Sequence, residues 1–408
     1  MRNRSIRSRR RRVLLVVAVA ELLVMSLWFS ATAAAPELAT EWGLTPSETA
    51  WLTIAVQLGF VAGALLSSVL TLSDVVRPRY LFAGSAFFGA VLTAAIAGFV
   101  NTALPAIGLR FLTGVALAGV YPPGMKIMAG WFREGRGFAI GVLVGALTIG
   151  SALPHLLRGI GGVGEPRLVL YGAAGLALVG ALLALWVEPG PHQAPAAPFD
   201  PSALGRMLRD RGTMLANGGY FGHMWELYAV WTWIPAFLIA SLSASGSGVG
   251  ASQTASYIAF GTIAIGGLGA ISAGVASDRL GRTTVTSASM LVSGTASVLA
   301  GFVFGSSLLL VVPFVLVWGF AIVADSAQFS AAVSELAEES YVGTALTMQT
   351  AIGFLLTTVS IQLIPMVVDV VGWRWAFLPL ALGPALGTAS MLRLRGLPEA
   401  KRLAGGRR

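Results

Sequence analysis

The sequence predicts an all-α membrane protein, with twelve transmembrane helices in two pseudo-symmetric six-helix bundles. The first observation is composition: 56% of the 408 residues are hydrophobic and 11% are charged, whereas a soluble domain carries about 25% charged residues. The second is that apolar runs of about 20 residues recur along the chain, and each can cross a bilayer as a helix. The third is a weak internal repeat at an offset of about 205 residues.

The apolar runs place twelve spans between short polar loops. Their approximate bounds are 13–35, 48–71, 79–100, 103–127, 137–158, 168–187, 213–240, 252–275, 283–304, 307–332, 342–366 and 373–392. Of the 27 Lys and Arg residues, 22 fall in segments on one predicted side and three on the other. This bias predicts that both termini are cytoplasmic, and we expect the protein in the cytoplasmic (inner) membrane.

The basic charge is explained by this topology. The net charge is +9, and the arm 2–12 carries seven arginines that can touch anionic lipid. We therefore expect a lipid bilayer and no nucleic acid as partner. The same N-terminus resembles a signal peptide, but its apolar run is too long and contains Glu21, so we expect it to be retained.

A proline-rich polar segment divides the chain into two halves. We predict an N-terminal bundle at 1–187, a cytoplasmic linker at 188–212 and a C-terminal bundle at 213–408, since this segment holds five prolines and cannot be a span. The repeat supports this division. The matching residues are Glu21 and Glu226, Trp28 and Trp233, Asp74 and Asp278, and Arg167 and Arg374.

A short charged loop follows the eighth span. Its pattern, Gly274-x-x-x-Asp278-Arg279-x-Gly281-Arg282, resembles the cytoplasmic signature loop of the major facilitator superfamily. That resemblance implies a gate between helices 8 and 9. Asp278 is then expected to face the start of helix 11 near Gly343. Arg279 and Arg282 are expected to pair with acids of the next cytoplasmic loop, which are Glu335, Glu338 and Glu339.

Other segments resemble the same superfamily less closely. Asp74 begins a first copy of the signature loop that lacks its glycine, and Arg110-x-x-x-Gly114 resembles the arginine motif of helix 4. Gly145-Ala146 stands where the antiporter motif of the family has Gly-Pro. The resemblance implies that helices 1, 4, 7 and 10 line a central cavity.

Ionisable residues within the spans are functional candidates, because a buried charge costs at least about 2.5–3.5 kcal/mol at a helix centre. All six lie on those four helices: Glu21, Arg110, Lys126, His223, Glu226 and Asp325. His223 and Glu226 are one helical turn apart, so they share a face. We predict proton coupling through Glu226, Asp325, Glu21 and His223. The alternative is that these charges only hold neighbouring helices together.

Substrate contacts are predicted on the same helices. Arg110 either pairs with a carboxylate such as Glu21 or binds an anionic solute. Aromatic residues of span 7 either stack on a planar or cationic solute or pack in the core. The predicted substrate-binding set is Arg110, Tyr121, Lys126, Trp28, Trp225, Tyr228, Trp318 and Gln328.

These observations predict a monomeric secondary transporter that moves a small organic solute by alternating access, coupled to protons. An uncoupled facilitator and a solute-binding sensor remain alternatives. We expect no cofactor and no metal, because the chain has no cysteine and only three scattered histidines. A membrane-embedded enzyme is disfavoured for the same reason, and no phosphate-binding Gly-x-x-x-x-Gly-Lys-Ser/Thr loop is present.

Overall fold

A computed structural model describes residues 2–70, 72–132, 136–188, 190–192, 203–246, 250–338 and 342–407. Every element in these ranges is a helix, as the composition predicts. Eleven helices there are long and apolar enough to cross a membrane. The remaining predicted span is span 1. A non-helical turn at residues 26–29 divides it into shorter helices.

The N-terminal half contains spans 1 to 6. Their helices are Arg2–Met25, Ser30–Ala33 and Ala35–Trp42 (span 1), Pro46–Val69 (span 2), Pro78–Phe99 (span 3), Ala103–Leu117 and Tyr121–Trp131 (span 4), Arg136–Leu157 with the π-helical turn Arg158–Gly162 (span 5) and Pro166–Leu185 (span 6); a short helix, Leu72–Val75, connects spans 2 and 3. Spans 2, 3 and 6 begin at prolines, which fit the first helical turn because its N–H groups have no helical partner.

The C-terminal half contains spans 7 to 12. Their helices are Arg211–Ala244 (span 7), Ala251–Leu280 (span 8), Arg282–Val303 (span 9), Leu308–Ala324 and Ser326–Leu336 (span 10), Val342–Val371 (span 11) and Leu382–Arg395 (span 12), which the short 3₁₀ helices Trp373–Trp375 and Leu378–Ala381 precede; a further 3₁₀ segment is Pro398–Gly406. In the predicted linker 188–212, residues 203–209 form a short helix, whereas residues 189 and 193–202 lie outside the described part.

Three of the four predicted cavity helices are broken near their middle. Span 1 breaks at residues 26–29, span 4 after Leu117 and span 10 at Asp325. Pro122 and Pro123, in the first turn of the second helix, lack the N–H groups that would continue the first helix of span 4, and this accounts for the break there. Val120 and Asp325 are 205 residues apart (325 − 120), which is the offset of the sequence repeat.

The two halves meet along two seams. Span 5 packs on span 8, and span 2 packs on span 11. A Cβ on Gly267 would lie 3.1 Å from the carbonyl oxygen of Gly145, so spans 5 and 8 can approach this closely only with small residues. Spans 1, 4, 7 and 10 lie between the two seams.

Both ends of the chain lie at one face of the bundle. Arg9 is 3.8 Å from Glu188 at the end of the first half, and the N–H of Ala404 donates to Glu335 at 2.9 Å. The side chain of Arg10 lies 4.0 Å from the ring centre of Phe132. We call this the terminal face and the opposite one the distal face.

Candidate functional site

His223 and Asp325 form a buried ion pair between spans 7 and 10. Nδ1 of His223 lies 2.9 Å from Oδ1 of Asp325, and both side chains are about 1–2% exposed. The contact has the distance of an ion pair but not the alignment of a hydrogen bond, and Nε2 of His223 has no partner among the described residues. Asp325 sits at the break in span 10, between the helices Leu308–Ala324 and Ser326–Leu336.

Glu226 lies inside the C-terminal bundle. Its Oε1 accepts hydrogen bonds from the hydroxyl of Ser297 at 2.6 Å and from the indole of Trp318 at 3.1 Å. The structure therefore brings together Glu226 and Trp318, both predicted site residues. It pairs His223 with Asp325 rather than with Glu226, although His223 and Glu226 share a helical face.

Glu21 occupies the corresponding interior of the N-terminal bundle. It is fully buried, and neither carboxylate oxygen has a hydrogen-bond partner among the described residues. A Cβ on Gly124 of span 4 would lie 3.2 Å from its Oε2, so a larger residue there would crowd the carboxyl. A buried carboxylate without a partner is energetically unfavourable.

Arg110 supports the break in span 1. Its Nη1 donates to the carbonyl of Leu27 at 2.8 Å, its Nη2 donates to the carbonyl of Trp28, and its Nε donates to the carbonyl of Leu52 at 3.0 Å. Nη1 also donates to Ser30. The sequence left open a pairing with Glu21 or with a solute; in this structure carbonyl groups satisfy the guanidinium instead.

An aromatic cluster joins the two halves at the centre of the molecule. It contains the predicted residues Trp28 and Tyr228 together with Phe29, Phe60, Trp231 and Phe354. Its ring centroids are 5.0 to 6.1 Å apart. Phe60 and Phe354 come from spans 2 and 11. The sequence did not predict these two residues as part of a site, because an aromatic ring within an apolar span does not stand out from its neighbours.

The remaining predicted substrate contacts lie outside this cluster. The indole of Trp225 donates to the carbonyl of Pro379 at 3.2 Å, so it faces the start of span 12. Tyr121 and Lys126 are half-buried on the second helix of span 4. Gln328 accepts from Arg282 at 2.8 Å, which places it at the predicted gate.

The signature loop forms one of its predicted ion pairs. Arg282 binds Glu335 through two hydrogen bonds, from Nε at 2.8 Å and from Nη2 at 2.5 Å. Gly281 has a φ of 92°, a conformation that favours glycine, and this permits the abrupt turn from span 8 into span 9. A Cβ placed on Gly274 would lie 3.9 Å from Nε2 of Gln328. The pair stabilises this loop within the C-terminal half.

The expected contact of Asp278 with the start of span 11 stays a prediction. Span 8 packs antiparallel along span 5, with Gly267 beside Gly145 and Ile271 near Gly141. Asp278 and Arg279 are exposed. Glu339 and the side chain of Asp74 lie outside the described residues.

A network on the distal face links the halves and was not predicted. Arg158 contacts both carboxylate oxygens of Glu37, the shortest distance being 2.6 Å, and it also donates to the hydroxyl of Ser256 at 2.6 Å and to the carbonyl of Ser252. Nearby, Gln253 donates to the carbonyl of Gly159 at 2.9 Å. A signal was present in the sequence, since Arg158 is one of the three basic residues on the predicted outer side.

Two helical halves around buried polar groups define a membrane transporter. The sequence profile of the Major Facilitator Superfamily matches residues 17–265, and the chain belongs to that family. It is accordingly a transporter and not an enzyme. A comparison with curated protein sequences finds no match.

Solved transporters share the fold at low sequence identity. The nucleoside transporter NupG, in a mutant form, is similar with a TM-score of 0.71 and 16% identity, over 94% of this chain and 99% of that one. A bacterial homologue of the human lysosomal transporter Spinster, inward-facing and unoccupied, is similar with a TM-score of 0.72 and 14% identity, over 95% and 97%. Its inward-facing occupied form gives the same values.

Proposed function

We propose that this protein is a proton-coupled secondary transporter that moves a small organic solute by alternating access. It acts as a monomer in the cytoplasmic membrane, with the terminal face towards the cytoplasm. The distribution of Lys and Arg supports this orientation. Membership of the Major Facilitator Superfamily supports transport, since two bundles with the site between them are the architecture on which alternating access operates.

The buried His223–Asp325 pair carries the proposal of proton coupling. Both side chains are enclosed by apolar helices, where burying an unpaired charge costs free energy. Pairing with an opposite charge, or protonation of the carboxylate, reduces that cost. Protonation of Asp325 would weaken its attraction to His223. Because the two residues lie on spans 7 and 10, that change would alter how the two helices hold together. Glu226, one turn from His223 on span 7, provides a second exchangeable proton site in the same bundle.

The experiment is proton movement in liposomes that contain the purified protein, measured across a panel of neutral, cationic and anionic solutes. Nucleosides are included because one structural neighbour bears that name. We expect a solute-dependent proton flux that Asp325→Asn and Glu226→Gln each reduce by about tenfold or more, while solute binding persists. Matched controls are Asp369→Asn and Glu165→Gln, since both carboxylates are exposed.

The outcomes separate the proposal from its alternatives. Solute flux without proton movement, unchanged in Asp325→Asn and Glu226→Gln, would indicate an uncoupled facilitator. Solute binding without any flux would indicate a sensor. Either result contradicts proton-coupled transport.

A further inference from the structure

We propose that the aromatic cluster is the solute site and that it selects a planar, uncharged solute with hydrogen-bond acceptors. This proposal rests on the transport function proposed above. It concerns the six rings defined there and three side chains that carry buried polar atoms without partners. Those side chains are Trp28, Trp231 and Gln57.

The first observation is the position of the rings. Trp28, Phe29 and Phe60 belong to the N-terminal half, and Tyr228, Trp231 and Phe354 belong to the C-terminal half. Phe60 and Phe354 are 5.0 Å apart across the boundary between the halves, and Phe29 and Tyr228 are 6.1 Å apart and nearly parallel. When the halves separate, their ring faces part, and a flat solute can occupy the space between them.

The second observation is a set of unpaired polar atoms at the same place. The indole nitrogens of Trp28 and Trp231 are buried and have no hydrogen-bond partner among the described residues. Each side chain is 2% exposed. A buried donor without an acceptor costs free energy, so a ligand that brings acceptors recovers that cost.

Gln57 of span 2 adds an amide edge. The hydroxyl of Thr53 lies 2.7 Å from that of Thr32, and the ring of Phe60 lies 5.0 Å from that of Trp28. Gln57 is one turn from both Thr53 and Phe60 on the same helical face, so it faces span 1 between these two contacts. It is fully buried, and both amide atoms lack partners among the described residues.

The chemistry of these groups favours an uncharged solute. Aromatic ring faces attract a cation, but the indole N–H groups only donate, and they need an acceptor that an ammonium or amidinium group does not provide. The same ring faces carry partial negative charge and therefore disfavour an anion. The nearest guanidinium, that of Arg110, is committed to the carbonyls of Leu27, Trp28 and Leu52. A neutral heteroaromatic or aromatic amide satisfies the rings, the two donors and Gln57 together.

The test uses four probes of similar size with the purified full-length protein: benzamide, its cationic analogue benzamidinium, its anionic analogue benzoate and the saturated amide cyclohexanecarboxamide. Uracil and nicotinamide serve as further planar neutral probes. Binding is measured by calorimetry and transport by flux into liposomes. We expect binding and flux for the planar neutral probes, and at least about tenfold weaker binding for the charged and saturated ones.

Paired variants distinguish a binding role from a packing role. Trp231→Phe keeps the ring but removes the unpaired N–H, so we expect affinity to fall about threefold to tenfold with no loss of thermal stability. Trp233→Phe, two residues away, removes an N–H that donates to the carbonyl of Ile361 at 2.9 Å, so we expect lower stability with unchanged affinity. Gln57→Leu is expected to weaken binding as Trp231→Phe does.

Three results would overturn the inference: preference for a charged or saturated probe, no millimolar-range binding of any planar neutral probe, or unchanged affinity in both Trp231→Phe and Gln57→Leu. These results are distinguishable from failure of the proposed function. Flux of some other solute class would leave the transporter intact and reject only this site assignment. Absence of flux for every solute would reject transport itself.

Discussion

At the scale of single residues, Arg110 shows how a buried charge can serve structure. It is fully buried and its hydrogen bonds hold the carbonyls that the break in span 1 leaves without helical partners. Such a position suits arginine, because its planar guanidinium directs several donors at once. The break in turn positions Trp28 at the boundary between the halves.

Arg110→Met should therefore destabilise the protein strongly. It removes the charge-assisted hydrogen bonds to the carbonyls of Leu27, Trp28 and Leu52, and bonds of this kind contribute about 1.5–3 kcal/mol each. We expect a loss of at least about 3 kcal/mol, measured as a lower melting temperature in detergent. Arg110→Lys should recover part of that loss. Arg374→Lys, at an exposed arginine, should change stability by less than about 0.5 kcal/mol; an equal effect of both lysine variants would contradict this role for Arg110.

The site residues were predictable only in part. Burial of Glu21, Arg110, His223, Glu226 and Asp325 followed from charge within apolar runs, and the structure confirms it. Their partners did not follow, because a helix that is apolar on all sides does not reveal which face meets which neighbour. Gln57 was missed for a different reason: a single neutral amide in a span produces no charge signal.

At the scale of elements, the distal ends of spans 5 and 8 are held by Arg158. Arg158 belongs to the first half and pairs there with Glu37, and it also reaches Ser252 and Ser256 of the second half. Its side chain is only 1% exposed, so solvent screens these contacts little. The bonds to Ser252 and Ser256 therefore stabilise the contact between the halves directly, whereas the Arg282–Glu335 pair acts within one half.

Glu37→Gln should release Arg158 and thereby open the distal face more often. The charge-assisted bond to Glu37 contributes about 1.5–3 kcal/mol to holding the guanidinium where it bonds Ser252 and Ser256 across the halves. We therefore expect a membrane-impermeant thiol reagent to label a reporter cysteine about tenfold faster or more. Ala259→Cys is a suitable reporter, because Ala259 is fully buried and lies one turn below Ser256 on span 8, in a chain without cysteines. Glu41→Gln, at an exposed carboxylate one turn after Glu37, is the matched control; equal labelling in both variants would rule out the network as a lock.

At the scale of the whole molecule, the architecture was largely predictable. Lipid imposes helical spans of a set length, and the signature loop pointed to the family, which the sequence profile confirms. The breaks in spans 1 and 10 were not predictable, because no proline marks them as Pro122 marks span 4. Tertiary hydrogen bonds, such as those of Arg110, stabilise a break that local sequence does not require.

Alternating access requires that the halves separate at the distal face, and a second contact between them allows this to be blocked. The hydroxyl of Ser47, at the start of span 2, accepts from the amide of Gln362 on span 11 at 2.7 Å. In Ser47→Cys/Gln362→Cys we expect a short bis-methanethiosulfonate reagent to cross-link the two thiols, because the two positions face each other across the halves and the chain has no other cysteine. Cross-linking should abolish solute flux, and a reducing agent should restore it. Each single cysteine variant should transport under both conditions. Full transport by the cross-linked protein would mean that this face stays closed throughout the cycle, and it would contradict alternating access.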